Sequence, residues 1–133
     1  MSELLKKFNV KEQNTLFLWN KPEEFVSIQG EWSKTLNIVE SPPEKPTDFL
    51  LVFVKDRQQL EESKAVIQRN MDPKGLIWVS YPKKTSKKYK SDISRDDFWE
   101  GLKDLGLEPV RQIAIDDDWS ALRFRPGNEI KRK

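Results

Sequence analysis

The residues best suited to chemistry in this chain are a run of lysines, a run of aspartates and one strand-end glutamate. The segment YPKKTSKKYKSDISRD (Tyr81 to Asp96) sets Lys83, Lys84, Lys87, Lys88 and Lys90 within eight positions, then turns to serines and acids. Ammonium groups at that density attract oxyanions, and a helix starting directly afterwards adds free backbone N–H groups. Ser94 and Asp97, three residues apart, are a capping pair for such a helix. Lys83, Lys84, Lys87, Lys88, Ser94 and Arg95 are therefore a candidate site for a phosphate-bearing ligand. The competing reading is a solvated loop, or exposed pairs with Asp116, Asp117 and Asp118 at about 0–1 kcal/mol each. Tyr81 and Tyr89 flank the lysines and could stack on bases, but 24 basic against 22 acidic residues give a net charge of only +2, thin support for nucleic acid as a partner.

Several chemistries are excluded. The chain has no histidine and no cysteine, which removes disulfides, thiol nucleophiles, the usual zinc ligands and the commonest general base. Three consecutive aspartates in a regular turn cannot all point at one ion, so no metal site is expected, and neither a catalytic residue nor a cofactor is assigned. No apolar run approaches the roughly 20 residues of a membrane span, and MSELLKKFNV lacks the apolar core of a signal peptide. No membrane partner and a cytoplasmic location are expected.

The elements that must position these residues follow from hydrophobic patterning. Ser2 is placed to cap a short helix carrying Leu4, Leu5 and Phe8, and TLFLW (Thr15 to Trp19) is a continuous apolar run suited to a strand buried on both faces. Pro22 and two acids open a short helix with Phe25, Ile28 and Trp32 on one side. LNIVE (Leu36 to Glu40) is a second strand, SPPEKPTD a stiff connector, and FLLVFVK (Phe49 to Lys55) a central strand. Asp56 and Gln59 form a capping box for a helix reaching Met71, with Leu60, Ile67 and Met71 inward, and DPKG then makes a turn into the strand LIWVSY. Beyond the lysine loop, a helix bearing Phe98, Leu102 and Leu105 stops at Gly106, and PVRQIAI and WSALRFR form an antiparallel hairpin around the aspartates. Trp78 and Trp119, within or at the start of strands, are assigned to the core.

Strands alternating with helices predict an α/β three-layer sandwich: a mostly parallel Rossmann-like sheet of about six strands in the order 2-1-3-4-6-5, the last strand antiparallel, with helices on both faces. Residues 1–126 form one domain, and 127–133 a flexible basic tail. Ligands of such sheets bind beyond the carboxyl ends of the strands. That edge receives Asn20, Lys21, Glu40, Lys55, Asp56, the lysine loop and the aspartate turn.

LIWVSYPKKTSKKYKSDISRD (Leu76 to Asp96) and GLEPVRQIAIDDDWSALRFRP (Gly106 to Pro126) resemble a bacterial family of small proteins built on a domain of unknown function, with LLKKFNV and the first strand as a weaker echo. The resemblance implies a shortened class I methyltransferase-like, Rossmann-type fold and no particular reaction. A cofactor-binding domain of that kind runs from its first strand into a glycine-rich turn; here the turn reads WNKPEEF, without glycine. Glu40 stands about 20 residues beyond the first strand, where such folds place an acid for ribose hydroxyls. The leading expectation is a non-enzymatic binding or regulatory domain whose edge, with Asn20 and Glu40 beside the lysine loop, meets an anionic ligand. The alternatives are a divergent transferase using Glu40 for a nucleoside and Asp116 or Asp118 as base, and a protein–protein module.

Overall fold

The computed structural model describes residues 3–90, 93 and 95–127, apart from the side chains of Pro73, Arg95, Asp96 and Trp99. TLFLW forms β1 (Thr15–Trp19), and its Leu16, Phe17 and Leu18 are buried on alternate faces of the sheet. β2 (Asn37–Val39) and β3 (Thr47–Phe53) flank β1, both parallel to it. β4 (Met71–Pro82) pairs parallel with β3. β5 (Leu107–Ala114) and β6 (Trp119–Pro126) form a hairpin that inserts β6 antiparallel beside β4. The resulting order, β2-β1-β3-β4-β6-β5, is the expected one.

Helices cover both faces. On one lie α1 (Glu3–Lys7), a 3-10 turn over Glu23–Phe25 and α2 (Val26–Trp32). There Leu5, Phe8, Phe25 and Trp32 pack on Leu16, Leu18, Phe49, Leu51, Phe53 and Trp78. The indole N–H of Trp78 donates to the Phe8 carbonyl at 3.2 Å, which satisfies its one polar group inside the core. On the other face α3 (Arg57–Asn70) and α4 (Arg95–Lys103) bring Leu60, Ile67, Phe98 and Leu102 onto Phe17, Leu50, Val52, Ile77 and Val79.

The helix signals act largely as read. The Asp56 carboxylate accepts the Gln59 N–H at 2.8 Å, and Gln59 Oε1 accepts the Lys55 N–H at 2.8 Å, one residue earlier than the usual reciprocal bond. Gly106, three residues beyond the end of α4, takes φ +75°, a left-handed conformation that glycine adopts without strain, and its N–H donates to the Lys103 carbonyl at 2.9 Å. Ser94 and Ser2, the two other expected caps, lie outside the described residues.

One element departs from expectation. DPKG is not a turn preceding the fourth strand but part of β4, which runs unbroken from Met71. Thr47 opposes Met71 while Phe49 opposes Leu76, so extra residues of β4 bulge between those pairs. Asp72 Oδ1 accepts the Lys74 N–H at 3.0 Å and shapes the bulge. Met71 accordingly opens the strand instead of closing α3. Among the described residues no helix is long and apolar enough to cross a membrane.

Candidate functional site

The carboxyl ends of β1, β2, β3 and β4 share one edge, and the β5–β6 turn joins them because Trp119 pairs with Pro82. β1 leaves the sheet through Asn20, at φ 60°. Asparagine tolerates that left-handed conformation better than most residues, and here Asn20 Nδ2 donates to the Phe53 carbonyl at 2.9 Å. Asparagine thus makes the sharp exit that a glycine would otherwise make, with its side chain turned to β3.

Lys21 then bridges to β2. Its ammonium meets Glu40 Oε1 at 2.9 Å and donates to Gln29 Oε1, while Gln29 Nε2 reaches Glu40 Oε2 at 3.4 Å. The Lys21 bond, opposed by partial burial and helped by Gln29, holds the Glu40 carboxyl below the usual carboxylate range. Asn20 and Glu40 do lie on one edge, but Lys21 is Glu40's partner, and Asn20 serves the backbone.

The most elaborate polar cluster centres on Glu24, which sequence reasoning left as a helix-start acid. Its Oε1 accepts the Tyr89 hydroxyl at 2.6 Å and the Trp119 indole N–H at 2.7 Å, and its Oε2 accepts Lys88 Nζ at 3.2 Å. Burial pushes the Glu24 carboxyl up, but the bonds from Tyr89, Trp119, its own backbone and Lys88 outweigh it and hold it at about 2. Burial, then the bond to Glu24, push the Tyr89 hydroxyl up, so it stays a donor. The ammonium groups of Lys55 and Lys88 sit 5.9 and 5.7 Å from the Tyr89 ring centre, and Tyr89 meets Trp119 edge-on at 5.1 Å. Glu24 therefore ties the β1–α2 turn, the lysine loop and the closing hairpin together across the edge.

This arrangement corrects several expectations. Lys88 is engaged with Glu24 and lies over the Tyr89 ring, a partnership the sequence did not suggest. Tyr81 is buried against Phe98, ring centres 4.8 Å apart, and Tyr89 is held by Glu24, so neither is presented to a base. The aspartate turn does not neutralise the lysines. Asp116 Oδ1 accepts the Asp118 and Trp119 N–H groups at 2.8 Å each, Asp118 Oδ1 accepts the Ser86 hydroxyl at 2.8 Å, and the Asp118 carbonyl accepts the Lys83 N–H at 2.8 Å. Among the described residues no acid forms an ion pair with the side chain of Lys83, Lys84 or Lys87. Ser94 and the Arg95 side chain lie outside the described residues; the Arg95 backbone opens α4. Trp78 and Trp119 are core residues, as read.

No family model matches the chain, nor does the sequence of any curated protein. Solved structures do match its fold. A candidate type 11 methyltransferase from Sulfolobus solfataricus aligns with 98% of this chain and 94% of its own, with TM-score 0.58 and 8% identity. A SAM-dependent methyltransferase from Aquifex aeolicus aligns with 92% of this chain and 87% of its own at TM-score 0.57 and 15% identity. The ribosomal protein L11 methylase from Lactobacillus delbrueckii subsp. bulgaricus gives 92%, 74%, 0.57 and 7% in the same terms. The fold is thus Rossmann-like and of the methyltransferase type. The expectation of a non-enzymatic chain, drawn from the missing glycine turn and the missing histidine, is corrected by these neighbours: the three structures named, which share the fold over 92% or more of this chain, are methyltransferases.

Proposed function

We propose that this chain is a divergent transferase of methyltransferase-like fold that meets the nucleoside part of a cofactor at Glu40. The observation that carries the reading is the Glu40 carboxylate just beyond β2, kept ionised beside the β1 exit on a sheet of methyltransferase order. A carboxylate there can accept hydrogen bonds from ribose hydroxyls. Lys21 and Gln29 orient it, and the ammonium of Lys21 must swing aside for a sugar to reach Oε1. The other half of the pocket fits adenosylmethionine poorly. Asn20 and Lys21 stand where a glycine turn would admit the amino-acid part, so the proposal covers a nucleoside-bearing cofactor as a class, and no transfer step is derived. Lys84 and Lys87, exposed on the same edge, support an anionic acceptor.

Titration calorimetry with adenosylmethionine and adenosylhomocysteine at millimolar concentration tests the reading. Binding is expected in the wild type and should weaken about tenfold in Glu40→Gln, as for the loss of one charged hydrogen bond. Absence of heat with both ligands over a broad pH range would overturn it.

A further inference from the structure

The hairpin carries a second concentration of positive charge, away from the carboxyl edge. Arg111 on β5 lies directly opposite Arg123 on β6, and Arg125, two residues further along β6, shares their face. On its other side Arg123 is in register with Trp78 of β4, so the three arginines extend the face of the sheet that α1 covers. Glu108, opposite Arg125, is the one acid in register with them. Lys7 of α1 reaches the same hairpin, donating to the Ala114 carbonyl at 3.0 Å.

Like charges directly opposed across antiparallel strands destabilise a sheet. Arg123 carries a further cost: its Nε is buried and has no hydrogen-bond partner among the described residues. Burial, then the charges of Arg125 and Arg111, depress the Arg123 guanidinium below its ordinary value. A neutral side chain of similar length would avoid both penalties, so arginine here opposes folding unless something outside the described residues neutralises it.

We propose that Arg111 and Arg123 form a binding site for phosphate oxyanions, with Arg125 adding positive charge beside them. Guanidinium presents a planar fork of donors that matches phosphate bidentately, which a lysine cannot do. Side chains about 5 Å apart across the hairpin can fork one phosphate or span two neighbouring ones. A free polyphosphate and a nucleic-acid backbone both offer that chemistry. The site is separate from Glu40 and does not rest on the nucleoside reading.

Two probes distinguish the sources: inorganic tripolyphosphate, followed by calorimetry, and a labelled single-stranded RNA 12-mer, followed by anisotropy. The wild type is expected to bind at least one. R111Q/R123Q should weaken that binding about tenfold or more, and for RNA should reduce the slope of log K against log salt by about 1.4, at about 0.7 per lost phosphate contact. Exposed Arg111 makes R111Q a folded control that should itself weaken binding severalfold. Without ligand, R123Q should melt no lower than the wild type, because it relieves repulsion. K83A/K84A/K87A, on the carboxyl edge, should weaken the binding less than R111Q/R123Q does. The proposal is overturned if the wild type binds neither probe, if R111Q/R123Q binds like the wild type, or if the lysine variant alone loses binding.

Discussion

Glu24 draws three donors from segments distant in sequence, and its protonation state should register in stability. The folded carboxyl sits at about 2 against an ordinary value of 4.5. A depressed acid contributes stability that is full above its unfolded pKa and is lost as pH falls through its folded one, so this contribution should fade between about pH 4.5 and about 2. Glu24→Gln keeps the shape and removes the charge. It should cost about 1–3 kcal/mol at neutral pH, the scale of a hydrogen-bonded charge exchanged for a weaker acceptor. Its urea midpoint should also vary less than the wild type's across the acid window; parallel profiles would show that Glu24 does not titrate in the cluster. The role was illegible in the sequence because two acids after Pro22 are equally what a helix start calls for. Tyr89 was misjudged for the same reason: its spacing among lysines says nothing of a carboxylate 65 residues away in the chain.

Among the elements, legibility followed the strength of the apolar signal. TLFLW had one reading, and β1 coincides with it residue for residue. DPKG had a better local reading as a turn, and only the pairing of its flanks, Met71 and Leu76, with β3 draws it into β4. Gly75, next to Leu76, records how closely β4 approaches β3 there. A Cβ at Gly75 would stand 2.7 Å from the Asp48 carbonyl oxygen, and backbone cannot yield without shifting β3. Asp48 in turn accepts the Asn14 and Thr15 N–H groups at 3.2 and 3.3 Å, so the same shift would disturb the start of β1. Gly75→Ala should destabilise by about 1–3 kcal/mol, as overpacking does, measured by urea unfolding. Wild-type stability in that variant would mean that β4 approaches β3 less closely. Asp56→Ala removes the α3 cap and should cost about 1 kcal/mol by the same assay; no change would imply that Gln59 and solvent cap the helix without it.

For the molecule as a whole, sheet order was legible because parallel connections leave few topologies open, whereas the closure of its carboxyl edge was not. That closure joins Glu24, Tyr89 and Trp119, and the Trp119 bond spans 95 residues. It lies on the same carboxyl edge as Glu40; if the proposed cofactor must part it to enter, the closed form and the binding-competent form compete. A ligand that binds only the open form is weakened by the fraction of molecules that remain closed. Tyr89→Phe removes the hydroxyl that bonds Glu24 and leaves the ring against Trp119, which favours the open form with little loss of packing. The variant should therefore melt lower than the wild type without ligand yet bind adenosylhomocysteine more tightly, by about fivefold or more for a coupling of about 1 kcal/mol. Calorimetry and thermal melting on the same preparations separate the outcomes. Weaker binding by Tyr89→Phe would make the hydroxyl part of the ligand's own contacts, and unchanged binding would show that the edge opens without breaking this bond.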